Sequence, residues 1–123
     1  MSRINPFDIV TGFNNAINSH DPGHLALLMS EDHVFTDSAG KKVIGKMDSM
    51  SAWQGFFKQC PDYKNIFDRM ELHGNVVKIM GHSRCSDERL NGSALWSAAI
   101  KSNKIQEWHV YEDTAENRAL LGM

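Results

Sequence analysis

The chain has 123 residues, 41% hydrophobic and 23% charged, with a net charge of −2, a length that suits one hydrophobic core and a composition ordinary for a globular protein. The near-neutral balance, with Lys41-Lys42 as the one adjacent pair of cations, gives no electrostatic footprint for nucleic acid or an anionic membrane. No apolar run nears the roughly 20 residues of a membrane span, and Met1 to Pro6 lacks the apolar core of a secretory signal, so a cytoplasmic protein is expected. Cys60 and Cys85 form no CxxC pair and read as two reduced thiols.

Asn5-Pro6 supplies an N-cap and a first helical residue. Ile9, Phe13, Ala16 and Ile17 follow at helical spacing, which predicts an amphipathic helix over 6–19. Asp21-Pro22 repeats the start signal for a short helix with Leu25, Leu28 and Met29 on its apolar face. The period then changes. His33 to Asp37 reads as a strand, Ser38-Ala39-Gly40 as a turn, and Lys42 to Gly45 as a short return strand. Asp48-Ser49 can cap a third helix whose stripe is Met50, Trp53, Phe56, Phe57 and Cys60, with Pro61 beyond it.

From Tyr63 the pattern is strand-like, with a tight turn at His73-Gly74-Asn75, a longer loop over 87–92 and a two-residue hairpin turn at Ser102-Asn103. Residues 114–121 read as a terminal helical turn. Helix, helix, hairpin, helix and then four strands make an α+β layer fold in one domain over 1–123.

Four stretches in matching order carry a family likeness: Ala16 to Asp21, Phe35 to Gly40 with Gly45, the aromatic helix Trp53-Gln54-Gly55-Phe56-Phe57, and Lys104 to Asp113. With them the chain resembles the SnoaL-like branch of the nuclear-transport-factor-2-like superfamily. The resemblance implies a cone: a curved antiparallel sheet wrapped around about three N-terminal helices, enclosing one mostly apolar pocket. It specifies function less than fold, because isomerases, cyclases, dehydratases, epoxide hydrolases and non-catalytic binding proteins share that fold.

Strand alternation sorts the last hairpin. Pairing Leu95 with Val110, Ser97 with Trp108 and Ala99 with Gln106 puts Leu95, Ser97, Trp108 and Val110 on the pocket side by analogy. Trp96, Ile105 and Tyr111 then form an outer face through which, as in relatives, a homodimer is expected. A one-residue slip would exchange the two lists. Phe13, Phe35, Trp53 and Phe57 complete the expected ligand wall; a helical aromatic stripe is equally a plain core.

Asp37 is the leading candidate for chemistry. The Asp37-Ser38-Ala39-Gly40 run matches the setting of the general base in ketosteroid isomerase, at the end of the first strand. A carboxylate among aromatic side chains suits proton transfer. Asp before Ser-Ala-Gly is also ordinary turn chemistry. The remaining isomerase equipment does not carry over: its tyrosine aligns with Phe13 and its second acid with Leu95, and neither side chain can donate to an enolate. The network of limonene epoxide hydrolase loses its last-strand acid to Val110. Tyr63, Ser97 or His82 remains to assist, and Arg84 shares a face with His82. Lys78 lies on that face too, which points it to solvent.

His20 and His24 are separated by a helix break, and His33, His73 and His109 match no ligand motif, so no metal or organic cofactor is expected. Two functions stay open: a cofactor-free isomerase, cyclase or dehydratase acting on a small apolar or aromatic compound, and a non-catalytic ligand-binding or dimerisation domain of the same fold.

Overall fold

The structure is a computed structural model and describes residues 4–123. The chain runs α1 (Pro6–Asn18), α2 (Pro22–Leu28), β1 (Met29–Thr36), β2 (Lys42–Ile44), α3 (Lys46–Gln59), β3 (Lys64–His73), β4 (Val76–Arg84), a 3-10 turn at Glu88–Leu90, β5 (Gly92–Lys101), β6 (Lys104–Glu112) and α4 (Ala115–Leu121). Asn5 caps α1 through a side-chain bond from Phe7 N, Asp21 caps α2 and Thr114 caps α4. These are the short polar side chains that satisfy orphan N–H groups. The expected cap at Asp48-Ser49 is displaced: α3 starts at Lys46 behind Gly45, whose φ of 103° a side chain would resist. Met29 opens β1 instead of closing α2, so the first strand begins four residues before His33.

The six strands make one sheet in the order β2-β1-β6-β5-β4-β3. The fold is α+β as expected, but the sheet is mixed: β1 lies parallel to β6, between that strand and its antiparallel partner β2. The helices cover one face. α1 buries Ile9, Val10, Phe13, Ala16 and Ile17 against it, each large side chain contributing about 1.5–3 kcal/mol. Among the described residues no helix is long and apolar enough to cross a membrane.

Two one-residue bulges set which side chains face the helices. Ser102 and Asn103 both take positive φ, and Lys101 pairs with Lys104, so the hairpin turn is as expected. Between Ile100–Ile105 and Ala99–Glu107, however, β6 gains Gln106. Beyond it Leu95 pairs with Tyr111, Trp96 with Val110 and Ser97 with His109. Beyond the bulge the β6 assignment survives, while that of Ile105 before it and that of β5 reverse. Trp96 joins Trp108 on the helix side; Leu95 and Ser97, both buried, lie on the opposite face with Tyr111. Ile105 is fully buried in the core. Of the expected outer trio only Tyr111 is outside, stacked on His109 with ring centroids 3.9 Å apart.

The second bulge is Asp68 in β3, between Phe67–Gly81 and Arg69–Met80. The chain crowds Gly81 there: a Cβ on it would run into the Ile66 carbonyl oxygen. Backbone cannot yield as a side chain can. Gly81→Ala should therefore lose about 1–3 kcal/mol, read from the urea midpoint; an unchanged midpoint would mean that the bulge relaxes freely.

The core also holds a histidine. His33 is fully buried, and its Nδ1 donates to Ile105 O at 2.7 Å, which leaves Nε2 as an acceptor with no partner among the described residues. Burial holds its pKa below the ordinary 6.5, outweighing the attraction of Glu107 and Asp32. His109 is shifted the same way, again chiefly by burial. As pH drops below 6.5 the unfolded chain thus binds more protons than the folded one, so stability is full above that pH and falls as acid protonates the histidines of the unfolded chain, until the folded ones protonate too. Denaturant midpoints measured downward from pH 7.5 should decline more shallowly in His33→Gln, which keeps a donor but does not titrate. Parallel declines would exclude His33 as a source.

Candidate functional site

Between the helical layer and the sheet lies a cavity of about 420 Å³, a size common among small-molecule sites. Trp96, Trp108 and Val110 of the central strands line it from below, together with Phe35 of β1. α3 supplies Ala52, Trp53 and Phe56, one helix face presented by the spacing of the aromatic stripe. Leu90 of the 3-10 turn closes one side, and the β1–β2 turn brings Asp37, Ser38 and Ala39 to another. Tyr63 enters from the segment between α3 and β3.

The aromatic wall is continuous. Phe35 meets Trp53 edge-on at 5.4 Å, Trp53 meets Phe56 at 5.8 Å, and Phe56 meets Tyr63 at 4.8 Å. These T-shaped contacts suit the quadrupoles of the rings and hold them in place. Among the described residues Asp37 is the one carboxylate in this lining and Tyr63 the one phenol.

Asp37 serves the turn and faces the cavity. Its Oδ1 accepts from Ala39 N and Lys41 N, both at 2.9 Å, and its backbone pairs with Lys41 O and Gly40 N. Oδ2 takes no side-chain or backbone hydrogen bond among the described residues. The Asp-x-x-Gly spacing therefore fixes the carboxylate by one oxygen and leaves the other uncommitted.

Tyr63 is 8% exposed, and its hydroxyl lies 3.1 Å from Ser83 Oγ. Burial pushes its phenol up, outweighing the opposite effect of the neighbouring Ser83 and Asn65 side chains. His20 holds its backbone, with Nε2 2.8 Å from Tyr63 O and the ring stacked on Phe57 at 4.6 Å.

The structure thus brings together Asp37, Tyr63, Phe35, Trp53, Trp108 and Val110 of the expected site. Phe13 is fully buried behind Trp108, 4.7 Å from its ring, and shapes the cavity without lining it. Phe57 packs on His20 and Trp53. Leu95 and Ser97 lie across the sheet, with Ser97 Oγ 3.2 Å from Tyr111 Oη. His82 is also outside: Val77, Ile79 and Ser83 take the inner positions of β4, and His82 pairs at 3.2 Å with the exposed Asp68. It cannot assist Asp37. Phe56 of the expected aromatic stripe joins the lining, and Trp96, Leu90 and Ala52 line it unanticipated; Trp96 would have been found by asking which face of β5 carries its largest apolar side chain.

The family model described as the SnoaL-like domain matches residues 10–112. A comparison with curated proteins found no match. Among solved structures, a Sinorhizobium meliloti protein proposed to be a polyketide cyclase superposes with a TM-score of 0.77 at 17% identity, over 87% of this chain and 99% of that one. An NTF2-like protein of unknown function from Cytophaga hutchinsonii gives 0.75 at 18% identity, over 99% and 98%. An LEH-like epoxide hydrolase of M. tuberculosis gives 0.75 at 14% identity, over 88% and 82%. At these identities the likeness establishes the cone fold.

Proposed function

The chain belongs to the SnoaL-like domain family, and we propose that its cavity takes a small planar apolar compound on which Asp37 moves a proton, without metal or organic cofactor. The observation that carries this reading is the presence of one carboxylate and one phenol in a lining that, Ser38 apart, is otherwise apolar and largely aromatic. Flat rings match the aromatic wall, and burial of the ligand's apolar surface would drive binding. The uncommitted Asp37 Oδ2 is the base. It would remove a proton beside a carbonyl, and the Tyr63 hydroxyl would hydrogen-bond to the oxygen on which charge develops. Isomerisation, cyclisation and dehydration all begin with that step. Epoxide hydrolysis of the limonene type is not favoured, because Val110 places an isopropyl group where that network needs an acid.

The test is hydrogen exchange in a model ketone. Tetralone carries exchangeable hydrogens beside its carbonyl and a fused aromatic ring. In D2O the protein should speed deuterium incorporation, read by NMR, and Asp37→Asn should remove the effect. Binding without exchange would favour the second reading, a non-catalytic ligand-binding domain, for which the engagement of Asp37 Oδ1 in its own turn already speaks. A homodimer, if formed through the outer sheet face, would use Tyr111 and His109 in place of the buried Trp96 and Ile105; sedimentation of wild type against Tyr111→Glu reads it.

A further inference from the structure

Tyr63 is held by a polar chain that runs into the protein wall. Ser83 sits directly opposite Asn65 in the β3–β4 pair, and its Oγ lies 2.7 Å from Asn65 Oδ1 and 3.1 Å from the Tyr63 hydroxyl. Asn65 and Ser83 are 1% and 5% exposed. β3 is a sheet edge, and the outward backbone groups of Asn65 are taken by α1: Asn18 accepts from Asn65 N at 2.8 Å and donates to Asn65 O at 2.9 Å, and Asn14 donates to the same oxygen at 3.2 Å. The Asn65 backbone is fixed on both sides, so its side chain has one task left.

The direction of the chain decides what Tyr63 offers the cavity. With Oδ1 of Asn65 toward Ser83, the serine donates to the amide and its oxygen accepts the Tyr63 proton. Nδ2 is then a buried donor with no partner among the described residues. With the amide turned over, Nδ2 donates to Ser83, Ser83 donates to the Tyr63 oxygen, and the phenol proton is free for the cavity. The unpaired atom becomes a carbonyl oxygen, which protein interiors tolerate better than an orphaned N–H.

We propose that Asn65 and Ser83 are positioning residues that turn Tyr63 into a hydrogen-bond donor toward the cavity, so that the site selects a planar ligand presenting a carbonyl-type acceptor there. The inference rests on the cavity being a ligand site.

The test uses fluorenone, a planar aromatic ketone, with its dissociation constant and the infrared carbonyl stretch of the bound molecule as readouts. In the wild type the stretch should lie below its value in hydrocarbon solvent. Tyr63→Phe should abolish that shift and weaken binding about three- to tenfold. Ser83→Ala should keep the shift, because the phenol then has no acceptor except the ligand. Asn65→Asp at pH 8, whose ionised carboxylate only accepts, should force Ser83 and Tyr63 to point inward and abolish the shift. A merely structural role for the chain would move Ser83→Ala and Asn65→Asp together, and that result, or an unshifted carbonyl in the bound wild type, overturns the inference while the ligand site stands. Should Asn65→Asp fail to give a native near-UV spectrum, loss of the shift in Ser83→Ala overturns it alone. No fluorenone binding by the wild type overturns the ligand-site reading and the inference with it.

Discussion

Trp108→Ala should lose about 3–5 kcal/mol of stability, the range for deleting a buried indole. Trp108 is fully buried on a central strand, packed between Phe13 of α1 at 4.7 Å and Phe67 of β3 at 6.0 Å. It joins the helical layer to the sheet and also lines the cavity. Truncation would merge the new void with the existing one, and the rigid rings around it leave little room to collapse. Against a total of about 5–15 kcal/mol for a domain, the variant would keep a small margin or unfold. Trp108→Phe fills most of the space and should cost less than half as much. Urea titrations of the two variants check this. A loss below about 1 kcal/mol for Trp108→Ala would mean that the layers are held elsewhere.

Asp37→Asn should slow deuterium exchange into tetralone about a hundred- to ten-thousandfold, the usual contribution of a positioned general base. The change should spare the fold. The asparagine side-chain oxygen can still accept from Ala39 N and Lys41 N, so the turn keeps its two 2.9 Å bonds; what disappears is the basicity of the second oxygen. Asp37→Ala would break the turn and lose the base together, and its stability loss set against that of Asp37→Asn separates the two duties. Equal exchange rates in wild type and Asp37→Asn would remove Asp37 from the chemistry.

The layer order was legible because it rests on local signals. Asn5-Pro6, Asp21-Pro22 and the Trp53-Phe56-Phe57 stripe mark helices by capping and period, and Ser102-Asn103 marks a hairpin. Asp37 was singled out by the likeness of its Asp-x-x-Gly run to a known general-base setting and Tyr63 as a hydroxyl able to assist, and the structure places both in the cavity lining. The two bulges were not legible. Gln106 and Asp68 each insert one residue, and nothing in their neighbours' alternation announces it. Period 2 then turns each insertion into an exchange of faces, which sent Leu95 and Ser97 outward and brought Trp96 in. The same effect hid the pairing of Asn65 with Ser83: extrapolating from the Gly74-Asn75 turn would set Asn65 against Arg84. The parallel contact of β1 with β6 joins segments some 70 residues apart, where local pattern carries no information.

The most direct test of the central claim, that this cavity is a ligand site, is an amide and indole NMR titration of the wild type with tetralone. The indole N–H signals of Trp53, Trp96 and Trp108 and the amides of Ala39 and Lys41 should shift together along one binding curve, while His82 and Tyr111 on the outer face stay still. Shifts confined to the outer face, or none at ligand saturation of the solvent, would contradict it.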